Sequence, residues 1–128
     1  MPLAVEDLRG AFRALAGRAV TELRAALGQD LLGVAWFGST ARGEAAIESD
    51  LDLYVAIRDQ TGDAYGRCAD RLEVIRSSPE YLELARRGYR PDPMPIIHSL
   101  SKLATHPWIL LDIQDHGVIL HDPEGVLA

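Results

Sequence analysis

The chain holds one cysteine, Cys68, and so can form no internal disulfide. Cys68 falls in a segment that reads as a helix over residues 63–76, where a lone thiol serves as a small apolar side chain. Positive charge is also scarce: 13 Lys and Arg stand against 19 Asp and Glu, a formal net charge of −6 in 128 residues. A chain this acidic gains nothing from displacing the counterions of a phosphate backbone, so direct nucleic-acid binding by the protein alone is not expected. No apolar run approaches the ~20 residues that cross a bilayer. No basic and apolar leader opens the chain, so a cytoplasmic protein with no membrane association is expected. His106, His116 and His121 have no ligand spacing with each other or with Cys68 that suggests zinc. Internal repeats, low-complexity segments and dividing linkers are likewise absent, and one domain over residues 1–128 is expected.

What is there is a globular composition, 48% hydrophobic and 25% charged, in a chain long enough to bury one core. Residues 3–28 read as a long amphipathic helix, with Leu8, Phe12, Leu15, Ala19, Leu23 and Leu27 at three- and four-residue steps. Gly28 is placed to end it, and nothing in it suggests a functional role. Residues 31–37 form a short apolar run that reads as a buried strand closed by Gly38. A short helix is expected over residues 39–43, capped by Ser39. Residues 50–57 are a second strand, and alternation puts Asp50, Asp52 and Tyr54 on one face and Leu51, Leu53, Val55 and Ile57 on the other.

Residues 59–63 read as a polar turn, followed by the helix over 63–76. Ser78-Pro79-Glu80 is a helix-start signal, and that helix runs to Arg87 with Gly88 as its stop. Three prolines at 91, 93 and 95 exclude regular helix there. The chain then enters a strand at Ile96-Ile97-His98, and Pro95 at its start argues for a sheet edge. Residues 100–105 and 107–116 look helical, and residues 118–121 extended. Strands in adjacent runs mixed with helices indicate an α+β fold, a small mixed sheet flanked by helices.

The chemistry concentrates between residues 36 and 57. Two carboxylates at i and i+2 of one strand lie roughly 7 Å apart at the backbone and point the same way. Left unpaired they would raise each other's pKa and cost stability. A divalent cation relieves the repulsion, and Mg²⁺ favours one or two carboxylates together with substrate phosphate oxygens. Upstream, Gly38 allows close approach of a backbone and Ser39 offers a hydroxyl and an amide. Arg42 adds a charge-assisted contact for an anion. Trp36 beside this stretch reads as core, and Tyr54 continues the Asp50–Asp52 face and could border the site. Asp112 and Asp115 read as exposed on a terminal helix.

These residues resemble the nucleotidyltransferase superfamily related to DNA polymerase beta. The match is Phe37-Gly38-Ser39, the ten residues 40–49, then Asp50-Leu51-Asp52-Leu53. The fuller Gly-Ser-x-Ala-Arg-Gly form with Ser-Asp-x-Asp-Leu downstream is similar to the minimal nucleotidyltransferases of bacteria and archaea, a type that includes antitoxins. The resemblance implies a nucleotidyltransferase fold with a long N-terminal helix. It implies transfer of an NMP, AMP from ATP foremost, to a hydroxyl acceptor. Asp50 and Asp52 would be the catalytic and metal-binding residues, holding Mg²⁺ (or Mn²⁺) ions about 4 Å apart. Gly38, Ser39 and Arg42 would bind the nucleotide. It further implies a helical partner protein of the HEPN type, which some relatives adenylylate; a self-associated form is compatible with this reading. The alternative is a catalytically weak or inactive nucleotide-binding antitoxin subunit that works by binding its partner. The family carries a third carboxylate on the next strand. Here that strand has no acid, and the candidates to replace it are Asp92, if the strand begins earlier, and His98.

Overall fold

The computed structural model describes residues 5–58, 63–105 and 107–128. Residues 3–4 of the expected N-terminal helix, residues 59–62 of the turn expected over 59–63, and His106 between the two expected helices lie outside that set. The N-terminal periodicity produces helix α1 (Val5–Leu27). Leu8, Phe12, Leu15, Ala19, Leu23 and Leu27 are all buried along it, the stripe that an amphipathic helix must cover. A 3₁₀ turn (Gly28–Asp30) leads into strand β1 (Leu31–Phe37). One helical turn, α2 (Gly38–Ala41), follows, and then strand β2 (Leu51–Ile57).

The helix expected over residues 63–76 is divided: α3 (Ala64–Glu73) tightens into a 3₁₀ turn (Val74–Ser77) before Pro79. The Asp63 carboxylate caps α3 by accepting the Gly66 N–H. Helix α4 (Pro79–Arg86) is capped by the Ser78 hydroxyl, which accepts the Tyr81 N–H at 3.2 Å. Strand β3 (Pro93–Ser99) begins earlier than Pro95, because an edge strand tolerates the missing N–H of Pro93 and Pro95. Two helices, α5 (Leu100–Leu103) and α6 (Pro107–His116), and strand β4 (Val118–His121) complete the order.

The four strands form one mixed sheet in the order β3-β2-β1-β4. β1 is antiparallel to β2 and β4, and β2 is parallel to β3. α1, α3 and α4 cover one face, packing on Val34, Trp36, Leu51, Leu53, Val55 and Ile57. α5 and α6 cover part of the other, over Leu32, Ala35, Tyr54 and Ala56. Burying each large apolar side chain contributes about 1.5–3 kcal/mol. Burial on both faces explains why β1 reads as a continuous apolar run. No described helix is long and apolar enough to cross a membrane.

Trp36 is fully buried, so its indole N–H needs an acceptor. It donates to Thr40 Oγ1 at 2.8 Å, which locks α2 onto the end of β1. Thr40→Val keeps the side-chain shape but removes that acceptor. The expected cost is about 1–3 kcal/mol, the penalty for a buried unsatisfied donor. Urea unfolding should show a lower midpoint with an unchanged slope; an unchanged midpoint would mean that the bond does not hold the turn.

Candidate active site

The antiparallel register sets Phe37 opposite Asp52, so the turn that leaves β1 meets the carboxylates that enter β2. Gly38 turns the chain with φ +78°, a conformation unfavourable for residues with a Cβ. A Cβ built on Gly38 would overlap Asp52 Oδ2 and lie 3.0 Å from its Cγ. Glycine is therefore required twice over, by backbone conformation and by the carboxylate pressed against it.

Ser39 lies within α2; Phe37 occupies the cap position, and no side chain caps the turn. The expected capping role of Ser39 is thus corrected, because Gly38 already has helical hydrogen bonding: its carbonyl accepts the Arg42 N–H at 3.1 Å. The Ser39 hydroxyl instead donates to Ser49 Oγ at 3.3 Å, and Ser49 Oγ accepts the Ala46 N–H at 2.8 Å. The Ser39 carbonyl accepts the Glu44 N–H at 2.8 Å. The loop between α2 and β2 is therefore braced across its own width, directly before Asp50. Arg42 is partly exposed, forms an ion pair with Glu44 at 3.4 Å, and lies close enough to Asp52 to favour its ionised form.

Asp52 is half-buried and its pKa is raised, first by burial and then by the neighbouring Asp50, against the opposing pull of Arg42. The carboxyl binds its proton more tightly in the fold than in the unfolded chain. Its contribution to stability is therefore full below the unfolded carboxylate pKa and lost as pH rises through the folded value. At neutral pH the ionised pair carries a repulsion that a divalent cation between Asp50 and Asp52 would relieve. The donor set thus suits such an ion. Among the described residues no group of three or more His, Cys, Asp or Glu forms a self-sufficient metal cluster. Further ligands would have to come from phosphate or water.

The two candidates for a third acid are engaged elsewhere. β3 does begin next to Asp92, and the Asp92 carbonyl accepts the Leu51 N–H at 2.9 Å. The Asp92 carboxylate, however, is ion-paired with Arg76 and accepts the Tyr81 hydroxyl at 3.3 Å, on the side of α4. His98 pairs with Ala56, four residues along β2 from Asp52, a distance of about 13 Å. It is buried, and its Nδ1 lies 2.9 Å from the Tyr54 hydroxyl. Burial pushes Tyr54 up to about 12, so the phenol keeps its proton in its hydrogen bond with His98. Tyr54 is fully buried, a core residue behind the carboxylates. The β3 positions that share the Asp52 face are Met94, opposite Asp52, Ile96, opposite Tyr54, and His98, opposite Ala56.

Two residues gain a role that their sequence positions did not signal. Arg9 on α1 donates through Nε to the Ala41 carbonyl at 2.9 Å and lies over the Trp36 ring at 5.3 Å. It fastens the N-terminal helix to the turn carrying Ser39 and Arg42. Ser49, the residue before Asp50, is the second. A Ser immediately before the Asp pair is at least a local cue for it, whereas nothing in the sequence points to Arg9. Cys68 is buried, with its thiol pushed up to about 11, and is a core residue as expected.

The sequence profile of the family described as nucleotidyltransferase domain matches residues 19–115, about three quarters of the chain. The chain belongs to the nucleotidyltransferase domain family. No curated protein matches it. Among solved structures, this nucleotidyltransferase domain is similar to a chain of a toxin–antitoxin crystallised with AMP-PNP. The two share 18% identity with a TM-score of 0.56, over 84% of this chain and 73% of that one. It is also similar to a candidate nucleotidyltransferase from Sulfolobus solfataricus, at 16% identity and a TM-score of 0.52, over 98% of this chain and 93% of that one. At such identities the likeness establishes the fold, and it agrees with the α+β sheet and long N-terminal helix described above.

Two substitutions test this candidate site. Gly38→Ala should lower the melting temperature, since αL strain alone costs about 1–2 kcal/mol, and should abolish binding of a fluorescent ATP analogue. Asp52→Asn should raise the melting temperature of the metal-free protein at pH 7, with the advantage shrinking at acid pH as the wild-type carboxyl regains its proton. A variant less stable than wild type at both neutral and acid pH would contradict the repulsion inferred for the Asp50–Asp52 pair.

Proposed function

We propose that the 128 residues act as one nucleotidyltransferase domain that moves an NMP, AMP from ATP, to a hydroxyl acceptor in the cytoplasm. The observation that carries this reading is the packing of Gly38 against the Asp52 carboxylate. It sets the Gly38–Ser39 turn beside the Asp50–Asp52 carboxylates, an arrangement that supports a triphosphate and its metal sharing one place. Asp50 and Asp52 hold Mg²⁺ or Mn²⁺ in this reading. The bound metal neutralises charge on the triphosphate and the departing pyrophosphate. Gly38 lets the backbone approach the β- and γ-phosphates, Ser39 supplies its hydroxyl and amide, and Arg42 supplies a guanidinium. The acceptor oxygen bonds to the α-phosphorus as the bond to pyrophosphate breaks and the hydroxyl proton passes to solvent, and the braced loop before Asp50 fixes where that acid stands.

The acceptor side is thinly furnished, since Met94 and Ile96 stand beside Asp52 on β3 and Asp92 is tied to Arg76. This favours an acceptor carried by a partner protein, of the helical HEPN type that similar minimal proteins accompany. The toxin–antitoxin neighbour supports a paired mode of action. The same observation favours a second reading, a nucleotide-binding antitoxin subunit that acts by association alone.

The two readings separate on incubation with α-labelled ATP and Mg²⁺, with the purified chain alone and with the product of the adjacent gene. Transfer of label with release of pyrophosphate, reduced at least about 100-fold in Asp50→Ala, is the expected result; such losses equal about 2.7 kcal/mol in the barrier. ATP binding without transfer to any acceptor would establish the association reading instead.

A further inference from the structure

We propose that the sheet face carrying Asp52, together with α5 and α6, is the docking surface for a second protein of different sequence, one with an apolar centre and a basic rim. The inference rests on the nucleotidyltransferase reading above and adds where the acceptor-bearing chain sits. Phe37, Tyr54 and Ala35 share that sheet face with Asp52, and among the described residues α5, α6 and the C-terminal Val126 and Leu127 cover it. The cover is incomplete. Met94 and Ile96 on β3, Leu100 on α5, Trp108 and Leu111 on α6 and Ile119 on β4 are all exposed. Trp108 is 64% exposed and Leu111 61%, neighbours three residues apart on α6, and Met94 is 51% exposed. Met94 pairs with Asp52 itself, so the apolar surface begins at the carboxylates.

Charge selects the occupant. Residues 91–128 contain Lys102 as their sole Lys or Arg, and Asp112 and Asp115 lie on α6 with Trp108 and Leu111. Asp92, by contrast, pairs with Arg76 on the α4 side, Glu124 pairs with Arg58, and Asp122 accepts backbone N–H groups of residues 126–128. The arginines of the opposite layer are largely spent in ion pairs, among them Arg18–Glu80, Arg71–Glu22 and Arg87–Glu83. An anionic membrane or a nucleic acid would meet a surface poor in cations and rimmed by acids. A second copy docked face to face would set Asp112 and Asp115 against their own equivalents. A basic-rimmed protein meets the same acids favourably, and its apolar centre covers Trp108 and Leu111.

The test replaces Trp108 or Leu111 with the photo-cross-linker p-benzoylphenylalanine in the full chain, expressed in its own cells, with position Tyr65 on the opposite layer as control. One other protein should cross-link from both positions and not from 65. Purified with that protein, Leu111→Glu and the pair Asp112→Lys/Asp115→Lys should each raise Kd at least tenfold while keeping the wild-type melting temperature. Cross-links solely to a second copy or to lipid, no discrete product, or an unchanged Kd in both variants would overturn the proposal. Binding of a fluorescent ATP analogue separates the two claims. Leu111→Glu should retain it, whereas Asp50→Ala should lose it and still dock. Unchanged docking in both surface variants with nucleotide binding intact overturns the surface alone, and absence of nucleotide binding in the wild type overturns the transfer reading alone.

Discussion

The contact on which the site depends is that of a glycine backbone pressed against a carboxylate. Gly38 and Asp52 are brought together by antiparallel pairing of β1 with β2, which sets Phe37 opposite Asp52. The pairing decides both what the turn must be and what the acid experiences. The turn must lack a Cβ and take a positive φ. The acid sits half-buried beside Asp50 with its proton affinity raised. Structure that disfavours a charge where chemistry needs one is common at functional sites.

Holding two like charges together requires a rigid frame, and the rest of the chain supplies it. β1 and β2 are buried on both faces, so neither can slip without exposing a full set of side chains. Trp36 is fixed through Thr40, and Arg9 reaches from α1 to the Ala41 carbonyl, so the longest helix also buttresses the shortest. Further along the face that carries Asp52, the Tyr54–His98 bond joins β2 to β3 in the buried interior. The frame is thick on the helical side and thin on the Asp52 side, which leaves the carboxylates accessible.

Much of this was legible in the order of residues. The stripe on α1, the bounds of β1 and the facing of Asp52 away from Leu51 and Leu53 follow from periodicities of 3.6 and 2, which are local properties. The cap at Ser78 and the edge position of β3 followed from the chemistry of serine and proline. What escaped depends on contacts distant in sequence. Arg9 finds Ala41 across 32 residues, and Asp92 is captured by Arg76 and Tyr81 once α4 is in place. Ser39 read as a cap because its residue type suits one, but the register of β1 started the helical turn one residue earlier. The Gly-Ser and Asp-x-Asp elements were recognisable by spacing; their convergence on one another became visible in the sheet pairing.

The account stands on the Asp50–Asp52 pair as a cation site facing the Gly38–Ser39 turn. Anomalous diffraction from crystals soaked in Mn²⁺ and a non-hydrolysable ATP analogue tests this most directly. The predicted result is a manganese peak bound by the carboxylates of Asp50 and Asp52, with the analogue's phosphates against Gly38 and Ser39. Asp50 and Asp52 paired with arginine, with no peak beside them and the analogue bound elsewhere, would contradict it.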